Sequence, residues 1–413
     1  MLLNGMRIEI INTGSELLLG STLNTHGAWL GQELLSLGLR VQCQLTVPDG
    51  DAIRDALREA VTRSDAVIVT GGLGPTSDDL SREATAEALE IELIEDEHAV
   101  RCITAYFEER GLSMTPSNLK QALNPCGADV LPNPNGTAPG VYVPPRLGNA
   151  ACAVFLLPGP PHEMHAMYHA EVAPRLRALT DLSTDHGISM LKLVGVGESR
   201  FQDALDAQLN QIDGVEIGYC ARPGEMDLRV IGTYAGRENA IALTKETFPE
   251  CVVSDDDRSL EEVLMHTLTE QSKTIATAES CTGGRIASRI TDVSGASSVF
   301  THGFITYSNE AKTELLGVPK DLLETHGAVS EEVATAMAAG AMEKAQSDIA
   351  ISVTGIAGPT GGSEEKPVGT VWIGISVRGE QPYAIKKFYP NGREIFKQLV
   401  SQASLYKGLR CIS

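Results

Sequence analysis

Two hydrophobic periods alternate along this chain, and the switches between them mark its elements. From residue 7 to about 179, short β-branched runs (RIEII, RVQCQLTV, DAVIVTGG) alternate with stretches whose apolar positions recur every three to four residues (HGAWLGQELLSLG, DAIRDALREAV). Apolar runs of the first kind fit buried strands, and the second period fits a helix with one buried face. Strand and helix in strict alternation predict a parallel sheet covered on both faces. Residues 131–146 (LPNPNGTAPGVYVPPR) are crowded with Pro, Gly and Asn and predict loop or sheet-edge structure.

Between about 187 and 257 the runs shorten into strand (ISMLKLV), helix (ESRFQDALDAQL), two strands (GVEIGYC, EMDLRVIG) and helix (RENAIALTKETF), a small α+β module. The acidic stretch 254–258 ahead of SLEEVLMHTLTEQ reads as a linker and helix start, because carboxylates suit a helix N-terminus. From KTIATAES onward the pattern is again α/β with a partly antiparallel edge. The expected domains are 1–178, 179–257 and 258–413. One local echo stands out: DAVIVTGGLGPT (65–76) and DIAISVTGIAGPT (348–360) each run an apolar strand into Thr-Gly and then Gly-Pro-Thr. The likeness ends after the turn, which predicts two solutions to one local problem rather than a duplicated domain.

Composition narrows the function classes. A chain of 413 residues exceeds one ordinary core and agrees with three domains. The formal charge of -21 repels phosphate backbones and anionic lipid, so no nucleic acid or membrane partner is expected and a nucleotide must be held by a local site. No run approaches the ~18 apolar residues of a membrane span, and MLLNGMRIEII lacks a basic leader region. The eight cysteines contain no C-x-x-C pair, as expected for reduced thiols in a cytoplasm.

Chemistry-bearing residues gather in two places. In AESCTGG (278–284), a strand runs into a turn before a helix, which puts the Ser280 hydroxyl beside the amides of Thr282, Gly283 and Gly284. That arrangement suits attack with oxyanion stabilisation; a plain capped helix start is the alternative. No histidine lies in the motif, so the proton acceptor falls to Tyr307 or Lys312 in ITYSNEAK (305–312). Lysine serves as a base only if its surroundings lower its pKa from about 10.4. TGIAGPTGG (354–362), with Thr354, Gly355 and Gly358, offers backbone N–H groups of the kind that cradle phosphate, and Arg393 in NGREIF could add a cation. Cys281 is the rival nucleophile.

Together with HGAVSEEVA (326–334) and KPVGTVWI (366–373), these segments resemble the CinA C-terminal domain, also called the PncC nicotinamide mononucleotide deamidase family, over roughly residues 258–413. The resemblance implies metal-free conversion of nicotinamide mononucleotide to nicotinate mononucleotide and ammonia. It assigns Ser280 as nucleophile, Tyr307 and Lys312 as its activators, Thr354 to the pocket and Arg393 to phosphate.

At the other end, TGGLGPTSDDL (70–80) places Gly71, Gly72, Gly74 and Thr76 where open α/β sheets bind ligands, with Asp78 and Asp79 suited to a divalent cation or, equally, to a helix start. NTGSELLLGSTLNTHGAWL (12–30) adds Glu16 and Asn24, and PGPPHEMHAM (158–167) adds Glu163, His162 and His165. These segments resemble the molybdopterin-binding-like domain of CinA proteins, related to MoaB and MogA, over roughly residues 6–175. That resemblance implies ADP-ribose pyrophosphatase activity with potassium and a divalent metal such as cobalt or magnesium. The middle module resembles the KH-like connector of the same proteins, but its GVGES turn (195–199) lacks the basic Gly-x-x-Gly loop that clamps nucleic acid. The expected whole is a homodimeric pyridine-nucleotide salvage enzyme. A molybdopterin-binding or adaptor protein linked to competence or DNA damage is the alternative.

Overall fold

The alternating pattern at the start of the chain closes into a six-stranded sheet, in the order Arg40–Val47, Arg7–Thr13, Ala66–Thr70, Ala153–Leu157, Gly140–Val143, Asp129–Leu131. The computed structural model describes residues 6–180 and 186–412, and the chain divides into two units that meet at residues 188 and 189. The first four strands pair in parallel. The last two, at the edge beside the Pro/Gly-rich stretch, each pair antiparallel with the neighbouring strand. The cause is local: the Pro/Gly-rich stretch between them is too short for the crossover a parallel neighbour requires, so the chain turns back as an edge hairpin.

Strands Ala66–Thr70 and Ala153–Leu157 are buried at every position. Successive side chains point to opposite faces, so Val67, Val69, Val154 and Leu156 meet Ile53 and Leu57 of helix Asp51–Arg63. Ile68, Phe155 and Leu157 meet Leu30 and Leu34 of helix His26–Ser36 on the other face. Helices on both sides explain why these strands are continuously apolar rather than alternating.

The second unit holds two sheets. One has the order Val215–Arg222, Glu225–Thr233, His186–Val194, Val252–Ser254, and packs Leu228 and Val230 against Phe201, Leu205 and Phe248. The other has the order Phe300–Ile305, Ile275–Glu279, Ile349–Gly355, Thr370–Val377, Tyr383–Phe388. Its first three strands are parallel and its last two antiparallel, as the sequence predicts. Helices Leu260–Glu270 and Arg393–Arg410 cover one face, and Glu331–Ala345 covers the other. Leu260–Glu270 starts with a capping box: Ser259 Oγ accepts from Glu262 N at 3.2 Å, and the Glu262 carboxylate accepts from Ser259 N at 2.7 Å. Such a cap is worth about 1 kcal/mol. Among the described residues no helix is long and apolar enough to cross a membrane. All eight cysteines are unpaired.

Candidate functional site

Strands Ile275–Glu279 and Ile349–Gly355 end side by side, and Ser280 leaves the first of them with its N–H donated to Val353 O at 3.0 Å. Lys312 arrives from helix Asn309–Leu316, whose start is fixed by Ser308 Oγ accepting from Ala311 N at 3.1 Å. Lys312 is 1% exposed and Ser280 8% exposed, so water is largely kept from the pair. Lys312 Nζ lies 3.3 Å from Ser280 Oγ, 3.0 Å from Thr306 O, and 3.4 Å from both Tyr307 O and Ser308 O. Burial lowers the Lys312 pKa from the ordinary lysine range, against smaller opposing effects of Cys281 and Glu310. A neutral amine has two N–H groups for the carbonyls and one lone pair, which can then accept the Ser280 proton.

The two glycine amides expected to hold an oxyanion are occupied. Gly283 N donates to Ser280 O at 3.2 Å, and Gly284 N donates to the Glu279 carboxylate at 3.0 Å. Glu279 is 1% exposed and also accepts from Ile286 N at 3.1 Å and Ala287 N at 2.8 Å. It caps helix Arg285–Thr291 and takes the amides that would otherwise face a ligand. Among the described residues the N–H groups of Cys281 and Thr282 donate to no other residue. Cys281 turns its side chain into the core beside Ile286, where burial pushes the thiol up to about 12 and keeps it protonated at neutral pH.

The Tyr307 side chain is exposed, and its hydroxyl accepts from Arg393 at 3.3 Å; only its backbone carbonyl reaches Lys312. Lys312, and not the Tyr307 phenol, is therefore the group within reach of Ser280. Arg393 begins helix Arg393–Arg410 and also donates to Gly358 O at 3.1 Å. Thr354 is buried with its hydroxyl donated to Ala328 O at 2.7 Å. A side chain on Gly355 would sit 2.8 Å from Thr370 O, so a close strand approach explains that glycine.

In the first unit, a cavity of about 340 Å³ opens at the carboxyl end of the sheet. Glu16, Gly71, Gly72, Thr76, Asp78 and Asp79 all line it, together with Asn24, His26 and Asp49. Gly74 instead packs beneath Asp79, where a Cβ would fall 2.4 Å from the carboxylate. Thr76 N donates to Asp79 at 3.0 Å, and the Thr76 hydroxyl reaches both aspartates, with Asp78 at 2.5 Å. The Thr76 hydroxyl, with help from Lys120, holds Asp78 below the usual carboxylate range. Lys120 ties the loop from outside, donating to Asp79 O at 2.5 Å and Thr76 O at 3.0 Å. The cavity's carboxylates are hard oxygen donors, which fit magnesium-like cations. Among the described residues no group of three or more His, Cys, Asp or Glu is placed to hold a metal by itself, so ligand and water oxygens must complete any coordination. Glu163 accepts from Asn133 at 2.6 Å, and His165 stacks on Trp29 at 3.8 Å, so those side chains serve packing.

Family models match in three successive stretches: "Probable molybdopterin binding domain" over residues 9–178, "Damage-inducible protein CinA KH domain" over 189–250, and "CinA C-terminal domain" over 257–411. A CinA-like protein of Akkermansia muciniphila is 47% identical across 97% of this chain and 96% of its own length. The chain belongs to the CinA family. A CinA-like protein of Dictyoglomus thermophilum is 41% identical, covering 92% of each chain. Among solved structures, the competence/damage inducible protein CihA from Agrobacterium tumefaciens is 38% identical, covering 37% of this chain and 93% of that one with a TM-score of 0.36.

Three site residues of this CinA-family chain escaped the sequence reading. Glu279 stands inside the AESCTGG motif, and its signal was a carboxylate at a strand end just before a helix. Asp49, which accepts from Ser15 N and Oγ, each at 3.1 Å, had only a Pro-Asp-Gly turn to mark it. His26 reaches the cavity with Nδ1 3.3 Å from Thr70 Oγ1, a contact no local pattern announces.

Proposed function

We propose that residues 258–413 form a serine-nucleophile amidohydrolase that converts nicotinamide mononucleotide to nicotinate mononucleotide and ammonia. The observation that carries this reading is the buried Lys312 amine 3.3 Å from Ser280 Oγ. Neutral Lys312 takes the hydroxyl proton as Ser280 Oγ bonds to the carboxamide carbon, and the Cys281 and Thr282 amides receive the oxyanion. The Lys312 ammonium then protonates the departing nitrogen, and ammonia leaves an acyl ester on Ser280. Water, deprotonated by Lys312, cleaves that ester to the carboxylate and restores the hydroxyl. Arg393, with Tyr307 beside it, supports binding of the substrate phosphate. The base and the nucleophile are both side chains, so the scheme calls on no cofactor. Ammonia release from nicotinamide mononucleotide tests it: Ser280→Ala abolishes turnover and Cys281→Ala retains most of it. Equal losses, or the reverse order, overturn the assignment.

For residues 1–178 we propose metal-dependent hydrolysis of ADP-ribose to AMP and ribose 5-phosphate. Support comes from the four carboxylates, Glu16, Asp49, Asp78 and Asp79, around one cavity of about 340 Å³. A diphosphate entering that wall is repelled unless cations bridge it, which agrees with a need for a divalent ion, cobalt or magnesium, and for potassium. Asp78 and Asp79 would hold the divalent ion, which would neutralise the diphosphate when bound. AMP release with metals and potassium supplied, and its loss in Asp78→Asn, are expected. If no AMP forms, the first unit is a molybdopterin-type binding or adaptor module. Assays of fragments 1–178 and 258–413 beside the whole chain assign each activity, and sedimentation tests the proposed homodimer. Eight unpaired cysteines support a cytoplasmic setting.

A further inference from the structure

Within the second unit, a cavity of about 520 Å³ lies between the middle module and the C-terminal module. Small-molecule sites span about 300–1,000 Å³, so this volume is ample for one. On one side stand the turn Gly195–Glu198 and the hairpin tip around Arg222 and Met226; on the other stand helix Arg393–Arg410 and the end of strand Tyr383–Phe388. None of the residues assigned to the Ser280 site lines it.

The charges around this cavity are unequally committed. Arg222 is held by Glu225 at 3.1 Å and Asp227 at 2.7 Å, and Glu225 also accepts from Gln402 at 2.9 Å. Glu198 accepts from Gln202 at 3.3 Å. Lys387 and Lys407 also line the cavity, and among the described residues neither ammonium has a carboxylate or carbonyl partner. In a chain of formal charge -21, Lys387 and Lys407 outnumber the one lining carboxylate without a cationic partner, Glu198, so the cavity carries a local positive excess. The Tyr389 hydroxyl, also on the wall, has no protein partner among the described residues and is free to donate. Helix Glu198–Leu209 begins at the rim, where Gly197 supplies no side-chain cap and the first-turn N–H groups stay open. Val196, Met226 and Leu399 supply apolar surface between these polar groups.

We infer that this cavity is a second small-molecule site, taking an anion that carries a flat aromatic ring, of the mononucleotide class. Lys387 and Lys407 hold the anionic group, and the apolar wall takes the ring. The inference is independent of the amidohydrolase reading, because no residue of that chemistry lines the cavity.

Calorimetric titration of the whole chain with AMP, and separately with adenosine, tests it. Wild-type protein binds AMP at this site and binds adenosine at least about tenfold more weakly. Lys387→Glu and Lys407→Glu each weaken AMP binding by about tenfold or more, while Ser280→Ala and Asp78→Asn leave that binding unchanged. Ala403→Trp, which fills the cavity, removes it. Lys387 is exposed and its reversal leaves packing intact, so Lys387→Glu decides the matter if a buried-wall variant fails to fold. Absence of AMP binding by the wild type overturns the inference, as do affinity that survives both lysine reversals and affinity that disappears in Asp78→Asn.

Discussion

Replacing Lys312 by methionine keeps an unbranched apolar stem of similar shape and removes the amine. The structure sets what is lost: contacts to Thr306 O at 3.0 Å and to two further carbonyls at 3.4 Å, and the 3.3 Å approach to Ser280 Oγ. If Lys312 is the proton acceptor, its loss should lower turnover by about 10²–10⁴, equivalent to roughly 2.7–5.5 kcal/mol of barrier. Because the amine lies at the serine and not at the proposed phosphate contact of Arg393, KM should move little while kcat falls. Lys312→Arg should be equally inactive, because a guanidinium stays protonated. The pH dependence carries the same signature. Only the unprotonated amine accepts a proton, so kcat/KM rises with pH through the Lys312 pKa, and burial places that rise below the ordinary value of 10.5. Between the lowered folded value and the unfolded one, the unfolded chain binds more protons, so stability also climbs with pH in that window; Lys312→Met should flatten the climb. Ammonia release followed across pH, with denaturant melts beside it, measures both. A Lys312→Met enzyme with wild-type kcat and an unshifted profile refutes the role of Lys312 as base.

Glu279→Gln swaps one accepting oxygen for an NH₂ that faces helix amides, and should destabilise the chain by about 2–4 kcal/mol in urea melts. A neutral result would mean that the cap is dispensable. Cys281→Ala should keep most deamidation, and thiol reagents should label Cys281 slowly in the folded protein because its thiol is buried and held up to about 12; rapid labelling at neutral pH would contradict that placement. Gly72→Ala forces a left-handed backbone, φ 67°, on a residue whose Cβ would fall 2.3 Å from Ser81 Oγ. It should cost about 1–3 kcal/mol in stability and reduce AMP release from ADP-ribose.

Elements were legible wherever one period ran uninterrupted: the apolar strands at 66–70 and 349–355 and helices such as Asp51–Arg63 and Glu331–Ala345 stand where the pattern puts them. The antiparallel edge of the first sheet was half legible, since Pro and Gly announce an edge but not the direction of the returning strand. At the Ser280 site the residue types were legible and their pairings were not. Lys312 and Tyr307 belong to one short segment of sequence, and the helix start at Asn309 turns the lysine inward and leaves the phenol with Arg393. The glycine amides were misjudged because the competitor for them, Glu279, sits at the end of the preceding strand, where a carboxylate just before a helix start is the signal.

The echoed strands show most clearly why local sequence stops short of local structure. Both carry a buried threonine near the end of the strand, yet the Thr70 hydroxyl donates to Asn12 at 3.0 Å across the sheet, whereas Thr354 donates to Ala328 O in a loop. Strand Ala66–Thr70 has parallel neighbours on both sides that end where it ends, so the chain turns at once, and Gly71 and Gly72 with φ 95° and 67° line the cavity. Strand Ile349–Gly355 has an antiparallel neighbour that carries the ladder onward: Gly355 pairs with Val371, Ile356 N donates to Thr370 O at 2.8 Å, and the left-handed turn waits until Gly358. What Gly358 then offers Arg393 is a carbonyl oxygen. The same Thr-Gly and Gly-Pro-Thr words thus line a cavity in one unit and orient a cation in the other. The phosphate reading of the second site can therefore draw on Arg393, held by Gly358 O, beside a turn in which, among the described residues, the N–H groups of Gly358, Gly361 and Gly362 donate to no other residue.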